Sequence, residues 1–238
     1  MDVSFARVRA VAGKELTVLW SSPVPYVVGA LFQAVLAALF VDQLHAREQA
    51  VVQPLFPLAG FLLLLTVPII TMRSFAEEAR TGTLDLLQAA PVPPSPLVAG
   101  KWLAGWLTTL AMLLPTGVLV VIVRWLGHPD RGPVIAGYVG LALLAATLTG
   151  VGVLASSLTS SQPVAAMVAV FGLLLLWFSN IGSGTLNAGD VLAHFSLSER
   201  LRSFAGGAID TSDVGFLVAA VVVTLAVTAL VVDSRRLR

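Results

Sequence analysis

Six stretches of this chain, at 24–41, 55–72, 102–123, 134–158, 164–181 and 214–232, contain no Asp, Glu, Lys, Arg or His. Each is about 17–25 residues long, which at roughly 1.5 Å per helical residue is enough to cross a hydrocarbon core of about 30 Å. A soluble fold would have to bury six such helices at once, leaving almost no polar face for water. Only 11% of the 238 residues are charged and 57% are hydrophobic, whereas soluble domains carry about 25% charged residues. The chain therefore reads as an all-α integral membrane protein: a single domain over 1–238 with six transmembrane helices. The first stretch begins too far in, and is followed by too many others, to be a cleaved leader.

Composition also excludes function classes. A net charge of +1 gives a nucleic-acid partner no electrostatic footing. There is no cysteine, hence no disulfide framework, thiol nucleophile or thiolate metal site. No ionisable residue lies within the six stretches, which argues against a self-powered ion-coupled pump. No HExxH pattern exists, and catalytic, cofactor and metal residues are expected to be absent. His45, His128 and His194 are far apart in sequence, each in an outer loop. They are either ordinary loop histidines or, for an intramembrane enzyme, a convergent metal set. Gly100-Lys101 resembles the end of a phosphate-binding loop, but Ser95 and Trp102 stand where that motif needs Gly and Ser or Thr.

Lys and Arg counts set the expected orientation. With the N-terminus inside, inner segments hold Arg7, Arg9, Lys14, Arg73, Arg80, Lys101, Arg235, Arg236 and Arg238, against Arg47, Arg124, Arg131, Arg200 and Arg202 outside. Both termini are thus expected in the cytoplasm and the protein in the cell inner membrane. Residues 3–20 form an amphipathic prelude: Phe5, Val8, Ala12, Leu16 and Leu19 share one face, with Arg7 and Lys14 opposite. Such a helix lies in the headgroup plane against membrane lipid, with Trp20 in the interfacial aromatic belt; the alternative is a helix packed on the protein. Lys101 and Trp102 mark the inner interface of the third span, Lys101 snorkelling to water. Pro68 is expected to kink span two, and Pro91, Pro93, Pro94 and Pro96 to exclude continued helix before span three. Glycines of span four, including Gly137, Gly140, Gly150 and Gly152, allow close helix contact. The outer loop 182–213 is expected to hold a short amphipathic helix. Gln33, Thr108, Thr109 and Thr116 are candidate pathway-lining residues, or else helix contacts.

The segment 73–92 between spans two and three is mixed in charge and helix-friendly. Met72, Phe75 and Ala79 continue an apolar stripe out of span two, while Glu77, Glu78 and Arg80 face elsewhere. Gly82 interrupts the helix. Thr83 is a good N-cap for a second short helix, Asp85 suits its positive end, and Leu84, Leu86 and Leu87 give it an apolar surface. That surface either meets a soluble partner or folds back on the membrane.

The run MRSFAEEARTGTLDLLQAAPV at 72–92, followed by GKW at 100–102, resembles the type-2 ABC exporter permease family. Members share Phe-Ala-Glu-Glu, a basic residue, Gly-Thr, an acidic residue before Leu-Leu, and a closing Pro-Val or Pro-Ile. Here Ala79 then Arg80 stand where two basic residues are common. Lys14-Glu15-Leu16, SSPVPYVV at 21–28 and SFAGGAIDTSDV at 203–214 also match. The chain is similar to the gliding-motility-type and nitrous-oxide-reductase-maturation-type branches. The resemblance implies a permease subunit, not itself an enzyme, that pairs with a second permease copy or a related permease. It sits on cytosolic ATPase subunits that bind ATP and Mg. The segment 73–92 would hold the coupling helix, with Phe75, Glu77, Glu78, Thr83, Leu84, Asp85 and Leu87 making or supporting the docking. The prelude would be the interfacial connecting helix. A second reading from the same handle is a membrane scaffold that anchors an ATPase or maturation complex and moves no substrate.

Overall fold

The computed structural model describes residues 3–47, 51–83, 93–127, 130–180 and 195–236. Among these, helices run in chain order α1 (Val3–Ser21), α2 (Val24–Arg47), α3 (Leu55–Thr71), α4 (Arg73–Thr81), α5 (Pro94–Leu113), α6 (Thr116–Leu126), α7 (Arg131–Leu158), α8 (Gln162–Trp177), α9 (Leu197–Ala205) and α10 (Thr211–Arg236). Five are long and apolar enough to cross a membrane: α2, α3 continued by α4, α5 continued by α6, α7 and α10. The fifth apolar stretch of the sequence forms the shorter α8, 16 residues from Gln162 to Trp177.

Local chemistry sets the breaks. Ser22 and Pro23 separate α1 from α2, and the elbow is held by the Tyr26 hydroxyl donating to Trp20 O at 3.0 Å and by edge-on contact of the two rings. Helix α3 continues through Pro68 and gives way to α4 at Met72. Gly82 ends α4 with a left-handed φ of 73°, a conformation that glycine adopts without a Cβ penalty. The prolines before span three do not hold its helix back to residue 102: Pro94 and Pro96 occupy the first turn of α5, where the missing N–H groups have no intrahelical partner to lose. Pro115 divides α5 from α6. The Ser196 Oγ caps α9, accepting from Glu199 N. Asp210 caps α10: donation from the Ser212 backbone N–H, then its hydroxyl, holds the Asp210 carboxyl below its ordinary value.

Helix α7 is the centre of the bundle, packed against α3, α4, α5, α8, α9 and α10. Its glycines admit neighbours as expected: a Cβ at Gly140 would stand 2.6 Å from Phe204 Cβ of α9, and one at Gly152 would overlap the Thr71 hydroxyl of α3. Phe32, Leu36 and Phe40 of α2, Phe56, Leu63 and Leu64 of α3, and Leu141, Leu144 and Leu148 of α7 fill the main core. Trp102 is half-buried. Its indole N–H donates to Ala146 O at 2.9 Å, and Trp106, stacked on it, donates to Ala142 O at 2.9 Å, so the pair ties α5 to α7. The amphipathic α9 lays Leu197, Leu201 and Phe204 into the opposite end of the bundle from α4.

Candidate functional site

The end of the bundle that carries α1 and α4 holds Lys101, the only buried charged residue among the described residues. Helix α4 is only nine residues long, too short to be stable by itself in water. Two side chains fasten it. Phe75, 1% exposed, packs with Val98 of α5, Val153 of α7 and Val232 of α10. Ser156 of α7 inserts its hydroxyl into the α3–α4 junction: Oγ accepts from Phe75 N at 3.0 Å and Ala76 N at 3.1 Å, and donates to Met72 O at 2.9 Å. In a continuous helix those two amides would donate to Thr71 and Met72 carbonyls. A side chain entering the ladder is a recognised cause of a helix break, and it accounts for the break at Met72.

Beside this junction lies Lys101. Helix α1 crosses α5 closely at Gly100, where an added Cβ would stand 2.7 Å from Val11 Cβ. One turn on from Val11, Glu15 reaches the Lys101 ammonium, with Oε1 accepting from Nζ at 2.8 Å. Glu78, one turn on from Phe75 in α4, does the same at 2.8 Å. The Phe75 ring lies beneath, its centroid 5.1 Å from Nζ. The Lys101 side chain is 1% exposed and each carboxylate 16%. It does not snorkel; one ammonium buried in protein joins α1, α4 and α5. Burying an ion is unfavourable by several kcal/mol, which two short charge-assisted bonds offset. The second oxygen of Glu78 is buried without a partner.

The residues singled out from the sequence divide clearly. Phe75 is core, and Glu78, expected to face away from the apolar stripe, turns instead to Lys101. Glu77 is partly buried and lines a cavity with Lys14. The Thr83 hydroxyl is exposed and reaches back to Glu78 O at 3.4 Å and Thr81 Oγ1 at 2.9 Å. Leu84, Asp85 and Leu87 lie outside the described residues, as do His128 and His194. On α1, Phe5, Arg7, Lys14 and Trp20 are exposed. Thr108 and Thr109 are buried and donate to Ala104 and Gly105 carbonyls of their own helix at 2.8 and 2.9 Å, and buried Thr116 donates back across the Pro115 break to Leu113 O of α5 at 2.6 Å. Gln33 has its Oε1 buried without a partner. None of these four lines the cavities at either end of the bundle.

Sequence reasoning missed Glu15, Ser156 and the buried role of Lys101. Glu15 stood in a matched tripeptide but on no recognised face. Ser156 carries no sequence signal, since a serine in an apolar helix usually bonds its own backbone. The arrangement offers no nucleophile beside a general base. Among the described residues no three His, Cys, Asp or Glu side chains gather to hold a metal. What it offers is mechanical: α4 is fixed by polar bonds to α5 and α7, and through Lys101 to α1.

A search of curated proteins finds no match for the chain. The family model described as ABC-2 family transporter protein matches residues 26–199, well over half of the chain and including α2 through α8. With its apolar helices long enough to span a bilayer, this multi-pass membrane protein belongs to the ABC-2 family of transporter membrane proteins.

Proposed function

We propose that the chain is the permease subunit of an ATP-driven exporter, with its α4 end in the cytoplasm and the segment after α4 docked on a separate ATPase. The carrying observation is the fastening of α4: Ser156 at its base binds it to α7, Lys101 on its flank binds it to α5 and through Glu15 to α1, and Phe75 packs beneath. A helix so held cannot move without moving the bundle, and this is what a coupling element requires. The partner binds ATP and Mg, and its closure on nucleotide biases the bundle between two packed states. Two copies of the chain, or this chain and a related permease, form the transport unit. Both termini are cytoplasmic in this reading, α1 lies along the inner headgroup plane, and the membrane is the cell inner membrane.

Leu84→Asp with Leu87→Asp in the full chain, co-expressed with the ATPase encoded beside it, is expected to abolish co-purification of the ATPase. Retained association would remove the docking assignment. ATP-dependent movement of a lipid-like solute in proteoliposomes holding both subunits separates a permease from a scaffold.

A further inference from the structure

A cavity of about 360 Å³ lies between α1, the first turn of α2, the end of α3, and α4, within the size range of small-ligand sites. Arg73 Nε and Glu78 Oε2 are both buried without a hydrogen-bond partner, and both residues line this one cavity. The Arg73 guanidinium has a single long contact, Nη1 to Ser22 Oγ at 3.4 Å. No described carboxylate lies within ion-pair distance of it, although Glu77 stands one turn away on the same helix. The Glu78 carboxylate gives Lys101 one oxygen and leaves the other unpartnered. Lys14, Arg73 and Lys101 balance Glu15, Glu77 and Glu78 around the space, so neither a simple anion nor a simple cation is favoured overall. Val18, Val24 and Ile69 supply an apolar wall at the foot of the spans.

We propose that this cavity binds a zwitterionic amphiphile, its phosphate against Arg73, its primary ammonium against Glu78, and its apolar body along Val18, Val24 and Ile69. An ethanolamine phospholipid carries this chemistry, and so does soluble phosphoethanolamine. The choline lipid keeps the phosphate but lacks N–H donors for Glu78; the glycerol lipid has no cation.

The test uses the full chain in nanodiscs of phosphatidylcholine containing equal small fractions of phosphatidylethanolamine and phosphatidylglycerol, with retained lipid identified by native mass spectrometry. Ethanolamine lipid is expected to be enriched about tenfold over choline lipid, the worth of one hydrogen bond to a charged group. Arg73→Gln should lower retention of ethanolamine and choline lipids together, and Arg73→Lys should keep most of both. Glu78→Gln, which retains an acceptor for Lys101, should bring ethanolamine and choline lipids level. Phosphoethanolamine added to pure choline nanodiscs separates the two sources. A rise in thermal stability there that Arg73→Gln abolishes supports a soluble ligand; no rise, with lipid enrichment intact, supports a lipid. Equal retention of all lipids by the unmodified chain with no response to phosphoethanolamine, or total lipid retention unchanged by Arg73→Gln, or enrichment unchanged by Glu78→Gln, overturns the proposal. The Leu84 and Leu87 variants read ATPase association and the Arg73 and Glu78 variants read lipid retention, so failure of the coupling reading is seen separately.

Discussion

At the scale of single residues, Lys101 is the most consequential side chain described. Its ammonium bonds both the Glu15 and the Glu78 carboxylate. Removing it leaves two like charges in one largely buried place, whereas removing charge from all three leaves a neutral polar cluster. Lys101→Met is therefore expected to destabilise the chain by about 3 kcal/mol, the magnitude of a broken buried ion pair. Adding Glu15→Gln and Glu78→Gln should recover most of that loss. Denaturant unfolding in detergent reads both, and a triple variant no more stable than the single one would refute the clamp. The sequence displays Lys101 at the edge of an apolar run, where a lysine usually snorkels. Burial follows only because α1 folds back across Gly100 and brings Glu15 with it, a tertiary event that no local pattern announces. Gly82, by contrast, was legible, because a left-handed helix end favours glycine whatever its surroundings.

Among elements, α4 is the most dependent on others. Its own nine residues and their propensities do not sustain it; Phe75 burial and the Ser156 hydroxyl do. Ser156→Ala leaves two amides and one carbonyl at the junction to find new partners, a loss of about 1–3 kcal/mol. Most of it should fall locally. Hydrogen exchange at the Phe75 and Ala76 amides is expected to speed up, while α9, at the other end of the bundle, keeps its protection. Unchanged exchange at 72–81 would show that α4 stands without the insertion. The apolar stripe of Met72, Phe75 and Ala79 announced this helix in the sequence, and α9 was likewise visible as an amphipathic stretch. The break at Met72 was not legible because its cause is a serine 84 residues away in sequence. The early start of α5 was missed because prolines read as helix breakers until their place in a first turn is known.

For the molecule as a whole, α7 carries the argument. Its Gly140 receives Phe204 of α9 and its Ser156 receives α4; roughly 16 residues apart, these points lie about 24 Å from each other along one helix. Movement imposed on α4 at one face therefore has a rigid path to α9 at the other. The membrane class and the helical plan were legible because apolar length is a property of sequence alone, whereas the path through α7 depends on which helices meet. The coupling reading requires that the two faces lie in different compartments, α4 within and α9 outside. The absence of native cysteine makes this directly measurable with single replacements at exposed sites. In intact cells a membrane-impermeant maleimide is expected to label Trp125→Cys and Arg202→Cys, and to label Arg9→Cys and Arg80→Cys only after permeabilisation. The positive-charge distribution points to this arrangement, and Trp125, 85% exposed at the end of α6, gives a clear outer reporter. Labelling of Arg80→Cys in intact cells would place α4 beyond the reach of any cytosolic ATPase, and the fastening of α4 would then need a partner on the outer surface.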